Sequence, residues 1–249
     1  MKISAMIASY VFLTFAGPLY VLWTGQVSLT GDYRTANRKT AEIAPLADNF
    51  PDAVIQIYSA RTFNWRGLFA VHTWIATKRT NAKKYTVYQK IGWRVLHDLS
   101  PVVVENDLPD RFWFAQKPQV ILDIRGKKAE ELITKIEAAA KKYPFMNEYS
   151  YWPGPNSNTF IAFIGREVPE LNLVMPSIAV GKDYFTKGIF APAVSGTGYQ
   201  LSIDGVFGIT LAMKEGLEIN LLGLVYGISP QQRAIKLPGI GEIGPKANS

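Results

Sequence analysis

Residues 152–160 read Trp-Pro-Gly-Pro-Asn-Ser-Asn-Thr-Phe, and an apolar run continues from there to Ile164. Two prolines and a glycine interrupt regular structure, whereas small polar residues followed by apolar ones are typical of a helix start. We therefore expect a loop that leads into a helix at Ser157. The first N–H groups of a helix have no partner within it and form the positive end of its dipole. Ser157 is then either a nucleophile beside an anion site or an ordinary N-cap.

The beginning of the chain is a long uncharged segment. No charged residue occurs from residue 3 to residue 31, and residues 4–23 are mostly apolar. About 20 apolar residues suffice for a helix to cross a bilayer. Because the run is longer than the core of a cleaved signal peptide, we predict a transmembrane anchor or uncleaved signal over residues 1–24. The predicted location is the bacterial inner membrane, with the folded domain in the periplasm.

The composition excludes several kinds of site. The chain has 249 residues, a net charge of +7 and no cysteine. Without cysteine there are no disulfides, no thiolate metal ligands and no cysteine nucleophile. The spread of basic residues fits either solvated surface lysines or attraction to anionic lipid head groups. We expect a membrane partner and no nucleic-acid partner, because no basic stripe with interleaved aromatic residues occurs. The oligomeric state is not predicted.

The pattern of apolar residues predicts strands first, then two helices, then strands again. Period-two alternation predicts an initial group of strands over residues 53–58, 68–77, 85–93, 101–104 and 119–124. Apolar residues at helical spacing predict a helix over residues 127–143, and the second helix runs from Ser157 to about residue 165. Turn residues then join an antiparallel meander over residues 199–203, 206–213 and 217–225, and the last residues, 237–249, are predicted to be irregular.

Histidine is scarce, and this limits the chemistry. The only two are His72, on a predicted strand, and His97, in a predicted loop. Their separation gives no metal-ligand pattern, so we expect neither a metal nor another cofactor. A serine needs a base to become a nucleophile, and His72 is the candidate base for Ser157. The alternative is a core histidine and a helix cap.

The layout of a strand histidine, further strands and an Asn-Ser-Asn-Thr-Phe helix start resembles the circularly permuted branch of papain-like, NlpC-type hydrolases and acyltransferases. The resemblance covers residues 53–165 and implies an antiparallel sheet with packed helices. It puts Ser157 in the position of the catalytic cysteine and His72 in that of the base. Because serine replaces cysteine, the chain is either a serine-dependent enzyme acting on an amide or ester, or an inactive module that binds a cell-wall or lipid component. Peptidoglycan and lipid are the expected substrates.

Further candidates surround this pair. The strand after His72 offers three residues that could orient the imidazole, and Tyr88 is preferred among Tyr85, Tyr88 and Gln89. Three residues of the decisive stretch are predicted to bind an oxyanion or substrate: Trp152, Asn156 and Asn158. For the two asparagines, turn formation and capping are the alternative.

A wider resemblance covers most of the chain after the anchor. Residues 65–76, 92–93, 152–160, 181–184 and 195–198 resemble an uncharacterised bacterial family of domains of unknown function. That resemblance implies a membrane-associated envelope protein and no particular activity. The predicted fold class is therefore α+β. It comprises an N-terminal transmembrane helix, a linker over residues 25–52, a papain-like core over residues 53–165 and a β-meander extension over residues 166–249.

Overall fold

The structure is a computed structural model that describes residues 3–245, without the side chains of residues 3, 6 and 7. Predictions for residues 1–2 and 246–249 lie outside the described residues. The helices are α1 (Ile3–Trp23), α2 (Lys127–Lys142) and α3 (Ser157–Glu167). The strands are β1 (Val54–Arg61), β2 (Val71–Lys78), β3 (Thr86–Lys90), β4 (Val102–Asn106), β5 (Gln119–Arg125), β6 (Phe190–Pro192), β7 (Gly198–Ile203), β8 (Phe207–Ala212), β9 (Gly216–Leu221), β10 (Leu224–Ser229), β11 (Ala234–Leu237) and β12 (Gly241–Ile243).

The first sheet has five antiparallel strands in the order β4-β3-β2-β1-β5. Its strands are rich in β-branched and aromatic residues, which suit a pleated and buried surface. One face packs against α2 and α3, and the shared core includes Ile57 and Ile75 of the sheet, Ile133 of α2 and Phe160 of α3. This packing brings the start of α3 beside β2.

The second face of this sheet is covered by chain without regular structure. A smaller core includes Tyr58, Trp74 and Val87, and Phe50 and Trp113 pack against it. The buried carboxylate of Asp110 holds the covering segment in place. It accepts hydrogen bonds from the Thr40 hydroxyl (2.7 Å) and from the backbone N–H groups of Ile43 (2.6 Å) and Ala44 (3.0 Å). Part of the predicted linker is therefore packed on the first sheet.

The second sheet is a seven-stranded antiparallel meander from β6 to β12. A buried ionic network lies on its inner face. Glu218 of β9 pairs with Lys182 (2.7 Å) and with Lys236 of β11 (2.6 Å), and Lys182 also pairs with Asp183 (2.7 Å). Burial alone would lower the pKa of Lys182, but the two neighbouring carboxylates raise it overall. Arg166 of α3 donates to Gln200 of β7 (2.7 Å), so the network also joins the sheet to the core.

The prediction of a transmembrane helix is wrong for the part of the chain that the structure describes. No helix there is both long and apolar enough to cross a membrane. α1 instead lies against the folded chain, where Thr14 and Val21 are buried. A side-chain carbon at Gly17 would stand 1.9 Å from the carbonyl oxygen of Pro238, so the helix approaches this loop as closely as glycine allows.

The predicted α+β, papain-like fold class is also wrong. Residues 3–245 form mainly two antiparallel sheets with few helices, and they show no papain-like fold. The second sheet has more strands than the first and contributes its own buried network, so it is a major part of the fold. The resemblance depended on the order of a few motifs along the chain. Motif order does not determine which strands become neighbours in a sheet.

Candidate functional site

The start of α3 is capped by Asn156. Its side-chain oxygen accepts from the backbone N–H groups of Asn158 (2.9 Å) and Thr159 (3.2 Å). The Thr159 hydroxyl in turn accepts from the Asn156 N–H at 3.1 Å, which completes a capping box. Ser157 is consequently the first helical residue, and its hydroxyl is not the cap.

Ser157 faces Tyr149. Burial, and then the neighbouring Tyr151, raise the pKa of Tyr149 above its usual range, whereas the nearby side chain and backbone of Ser157 act in the opposite direction. The Ser157 hydroxyl and an N–H group at the positive end of α3 therefore converge near the Tyr149 hydroxyl. Both residues line the same cavity.

Asn158 ties α3 to β2. Its side-chain amide donates to the carbonyl oxygens of Val71 (2.9 Å) and Val180 (2.8 Å), and its oxygen accepts from the Thr73 hydroxyl (2.9 Å). The Asn156 amide also donates to Val180, at 3.0 Å. These side-chain amide donors, proposed from the sequence for an oxyanion, are thus engaged in bonds that position the helix.

His72 lies on the face of β2 that points away from α3. Neighbouring strand residues alternate between faces, and Thr73 is the one that contacts Asn158 of α3. The His72 ring stacks on Trp113, with ring centroids 3.7 Å apart and planes at 10°. Burial lowers the pKa of His72 to about 3, and the Gln89 side chain only partly opposes this shift. His72 is therefore uncharged at neutral pH.

One nitrogen of His72 remains available. In the described part of the chain its Nε2 atom is buried and has no hydrogen-bond partner. His72 and Ser157 line the same cavity from different sides of β2, and no hydrogen bond joins them among the described residues. A buried imidazole nitrogen without a partner costs free energy, so a water molecule or a ligand in the cavity would stabilise it.

Tyr88 is not beside the imidazole. It is buried in the core shared with α2 and α3, paired with Ile75 across the strands. Gln89, the next residue, points to the face of His72 and interacts with its side chain. Tyr88 was the residue preferred from the sequence for orienting the imidazole. Strand alternation instead places Gln89 on the same side of the sheet as the His72 ring.

Lys90 is a site residue that the sequence analysis missed. Its ammonium group is buried and donates to the Tyr143 hydroxyl (3.2 Å) and to the carbonyl oxygen of Phe145 (3.0 Å). Burial lowers the pKa of Lys90 to about 7, although Glu148 acts to raise it. Lys90 follows Tyr88 by two residues, so a lysine on the core face of a strand was the available signal.

These side chains surround a cavity of about 570 Å³. Among the described residues that line it, none is acidic, and three carry basic groups: Arg38, Arg66 and Lys90. Aromatic rings form most of the remaining wall, including Trp93, Trp113, Phe114, Tyr149 and Tyr151. We call it the basic cavity. A lining that joins cations, ring faces and a helix N-terminus is suited to an anionic ligand with an apolar part.

A second cavity of about 340 Å³ meets the first at Ser157. Its walls are mainly apolar, and they include Trp65, Phe69, Trp152, Leu222 and Leu224. Trp152, predicted to bind substrate, is half exposed, and its indole N–H donates to the carbonyl oxygen of Leu222 at 3.0 Å. We call this second space the apolar groove. Arg66, Tyr149 and Ser157 line both spaces.

The described residues contain no group of histidine and acidic side chains arranged to hold a metal ion. His72 and His97 line the basic cavity without a carboxylate beside them. The cavity therefore offers nitrogen donors and ring faces to a ligand, with no set of oxygen ligands for a cation.

The sequence model of a family described as protein of unknown function (DUF3750) matches residues 52–184. The chain belongs to the DUF3750 family. The match includes His72, Lys90, Tyr149 and Ser157, so the basic cavity is built largely from the part of the chain that defines the family. No curated protein and no solved structure matches the chain. The prediction of an uncharacterised family is confirmed, and the resemblance to papain-like enzymes is not supported.

Proposed function

We propose that the protein binds an anionic amphiphile, a lipid component of the cell envelope, at the junction of the basic cavity and the apolar groove. The observation that carries the proposal is the position of Ser157. It stands where a cavity with three basic side chains and no described acidic one meets a groove lined mainly by apolar residues. A ligand that fills both spaces needs a negative head group and an apolar tail.

The head group would be held by charge and by unpaired donors. Arg66 lies over the Tyr151 ring at 4.5 Å from its centroid, at the junction of the two spaces. Lys90 provides a buried ammonium, and the backbone N–H of Ser157, which the capping box does not use, lies at the positive end of α3. The buried Nε2 atom of His72 supplies one more polar contact. Charge-assisted hydrogen bonds of this kind are about twice as strong as neutral ones.

Isothermal titration calorimetry with dodecyl phosphate, below its micelle concentration, tests the proposal. Dodecyl maltoside has the same tail without the charge, and inorganic phosphate has the charge without the tail. We expect dodecyl phosphate to bind at least about tenfold more tightly than either, because both spaces are filled only by the amphiphilic anion.

Two variants and one control connect this binding to the cavity. Arg66→Gln and Lys90→Gln should each weaken binding of dodecyl phosphate by about tenfold. Lys83→Gln removes a charge at the exposed turn between β2 and β3 and should leave the affinity unchanged. Equal losses in all three variants, or equal affinity for dodecyl maltoside, would contradict the proposal.

A serine-dependent hydrolase or acyltransferase is the second candidate, favoured by the Ser157 hydroxyl, which the capping box leaves unused. The predicted pair of Ser157 with His72 stays a prediction, and Lys90, whose pKa burial lowers to about 7, is a second candidate base that lines the same cavity. Labelling with a fluorophosphonate separates these roles. Labelling lost in both Ser157→Ala and His72→Ala supports the pair, whereas labelling kept in His72→Ala refutes it. A wild type that is not labelled contradicts the enzyme. The inner-membrane and periplasmic location likewise stays a proposal.

A further inference from the structure

The second sheet has its polar face inside and its apolar face outside. The inner side chains of β7 to β9 are polar and buried, as in Gln200, Thr210 and Glu218. The outer side chains of the same strands are large and apolar, as in Leu211 and Ile219, and they are exposed. An antiparallel sheet on a water-soluble core normally has the opposite arrangement. The outer face therefore needs its own explanation.

Strand register aligns these outer residues into continuous rows. One row crosses six strands and consists of Tyr199, Leu211, Leu217, Ile228, Ile235 and Ile243. A second row consists of Phe190, Leu201, Ile209 and Ile219, and it ends at Tyr226. We call the two rows together the apolar platform. Leu211 is 68% exposed, so no described part of the chain covers it.

The helix α1 continues the platform. The Thr14 hydroxyl is hydrogen-bonded to the hydroxyl of Tyr226 at 2.6 Å, and the Tyr10 ring lies 6.0 Å from the Tyr226 ring. The side of α1 that faces away from the protein is apolar and strongly exposed, with Phe12 at 71% and Trp23 at 83%. The segment from residue 3 to residue 31 carries no charge.

The combined surface is large for a free monomer. Seven strands of three to six residues, about 4.8 Å apart, cover roughly 550 Å², and the outer side of α1 adds about 300 Å². Contiguous apolar patches on soluble monomers rarely exceed about 300–600 Å², and larger ones mark interaction sites. Leaving this surface in water would cost free energy in proportion to its area.

We infer that the platform and α1 dock onto the surface of an anionic lipid bilayer. Protein interfaces carry about one hydrogen bond per 100–200 Å², but the only polar side-chain groups in the two rows are the Tyr199 and Tyr226 hydroxyls. The Tyr226 hydroxyl is already bonded to Thr14. Lipid tails require no hydrogen bonds. A bilayer is fluid and adapts to the uneven surface formed by a helix beside a sheet, whereas the folded surface of a second copy of the chain does not.

Charges around the sheet fit the same partner. The turns and ends of its strands carry three basic residues, Lys187, Lys214 and Arg233, and three acidic ones, Asp204, Glu215 and Glu242. Glu215 is buried and accepts hydrogen bonds from the Ser195 N–H (2.9 Å) and hydroxyl (2.6 Å), so it faces away from the outer surface. The Glu242 carboxylate accepts a hydrogen bond from the Ser177 N–H at 2.8 Å. With a net charge of +7, the protein is attracted to anionic head groups. This inference uses residues that do not line the basic cavity, so it stands independently of the proposed function.

Vesicle flotation with the full chain tests the inference. Vesicles of equal parts phosphatidylglycerol and phosphatidylethanolamine should carry the wild type to the top of a density gradient. Leu211→Asp should lower the partition coefficient by about tenfold or more, because it places a charge where a large apolar side chain contacts lipid. Leu46→Asp alters an equally exposed apolar residue outside the platform and should float like the wild type.

Two further measurements decide the remaining outcomes. Lipids with brominated tails should quench tryptophan emission more in the wild type than in Trp23→Phe, a comparison that does not depend on the folding of the sheet variant. Analytical ultracentrifugation without lipid shows whether the wild type forms a dimer, in which case a second copy of the chain would be the partner of the platform. A wild-type dimer that Leu211→Asp dissociates, with no flotation of the wild type, overturns the inference. Unchanged flotation of a folded Leu211→Asp also overturns it.

Discussion

Acidification should destabilise this protein through His72. The ring is buried against Trp113, and burial lowers its pKa to about 3, compared with about 6.5 in an unfolded chain. Between these two values the unfolded state binds one more proton than the folded state. The free energy of unfolding therefore falls as the pH falls from 6.5 toward 3, and the full contribution of the neutral ring is present above pH 6.5.

The expected size follows from the two pKa values. Between pH 7 and pH 4 the linkage amounts to a loss of about 3 kcal/mol from this one group. Other groups also titrate in this range, so the wild type must be compared with His72→Gln at each pH. The constant cost of the substitution cancels in that comparison. The free energy of unfolding of both proteins is measured by urea unfolding in a fixed concentration of a non-ionic detergent. Between pH 7 and pH 4 it should fall by about 3 kcal/mol more in the wild type than in His72→Gln.

Proton NMR measures the same quantity directly. The chain has only two histidines, and His97→Gln assigns their imidazole signals. The His72 signal should not titrate between pH 5 and pH 8. A His72 pKa of about 6–7, or a difference between wild type and His72→Gln that is constant from pH 7 to pH 4, would refute the reasoning. Such a result would also give His72 a pKa suited to a general base for Ser157.

Three further predictions concern other buried polar groups. Glu218→Gln leaves Lys182 and Lys236 without their shared carboxylate and should cost about 3–5 kcal/mol in urea unfolding, whereas Lys135→Gln breaks an exposed pair and should cost less than about 1 kcal/mol. Asn156→Ala removes the cap of α3 and should cost about 1–2 kcal/mol, seen as a lower Tm. Because burial lowers the pKa of Lys90 to about 7, binding of dodecyl sulfate, whose single charge is constant in this range, should weaken by up to about tenfold from pH 6 to pH 8, and Lys90→Gln should abolish that dependence in calorimetry.

Local patterns predicted most of the elements of the first sheet and both of its helices. α2 was expected over residues 127–143 and occurs at Lys127–Lys142, and α3 begins at Ser157 as predicted. Helical spacing and a capping sequence are short-range signals, and tertiary packing did not override them here. The turn at Asp204 and Gly205 was also recognised, and both residues have the positive φ angles of a tight hairpin.

The second sheet was only partly predicted. Residues 217–225 were read as one strand, but Leu222 (φ 55°) and Gly223 (φ 78°) form a turn that divides the run into β9 and β10. Leucine is rare at positive φ, so Leu222 gave no sign of a turn, and Gly223 was the available signal. β6 and β11 were not predicted, and β12 lies where irregular chain was expected. They are short, and their stability depends on pairing with the sheet.

The sequence by itself determined which segments have the alternation of apolar and polar residues typical of strands, and where α3 starts. It also determined the lack of cysteine chemistry and the lack of charge in the first helix. These properties depend on neighbours a few residues apart. Only the tertiary structure decided which way each face points. It put His72 on the opposite face of β2 from Thr73, made Lys90 line the same cavity as Ser157, and left the apolar side of the second sheet outward. Alternation with a period of two shows which strand residues share a face, but it does not show which of the two faces packs against the core. That choice is made by the buried ionic network of Lys182, Glu218 and Lys236, which assembles only when distant segments meet.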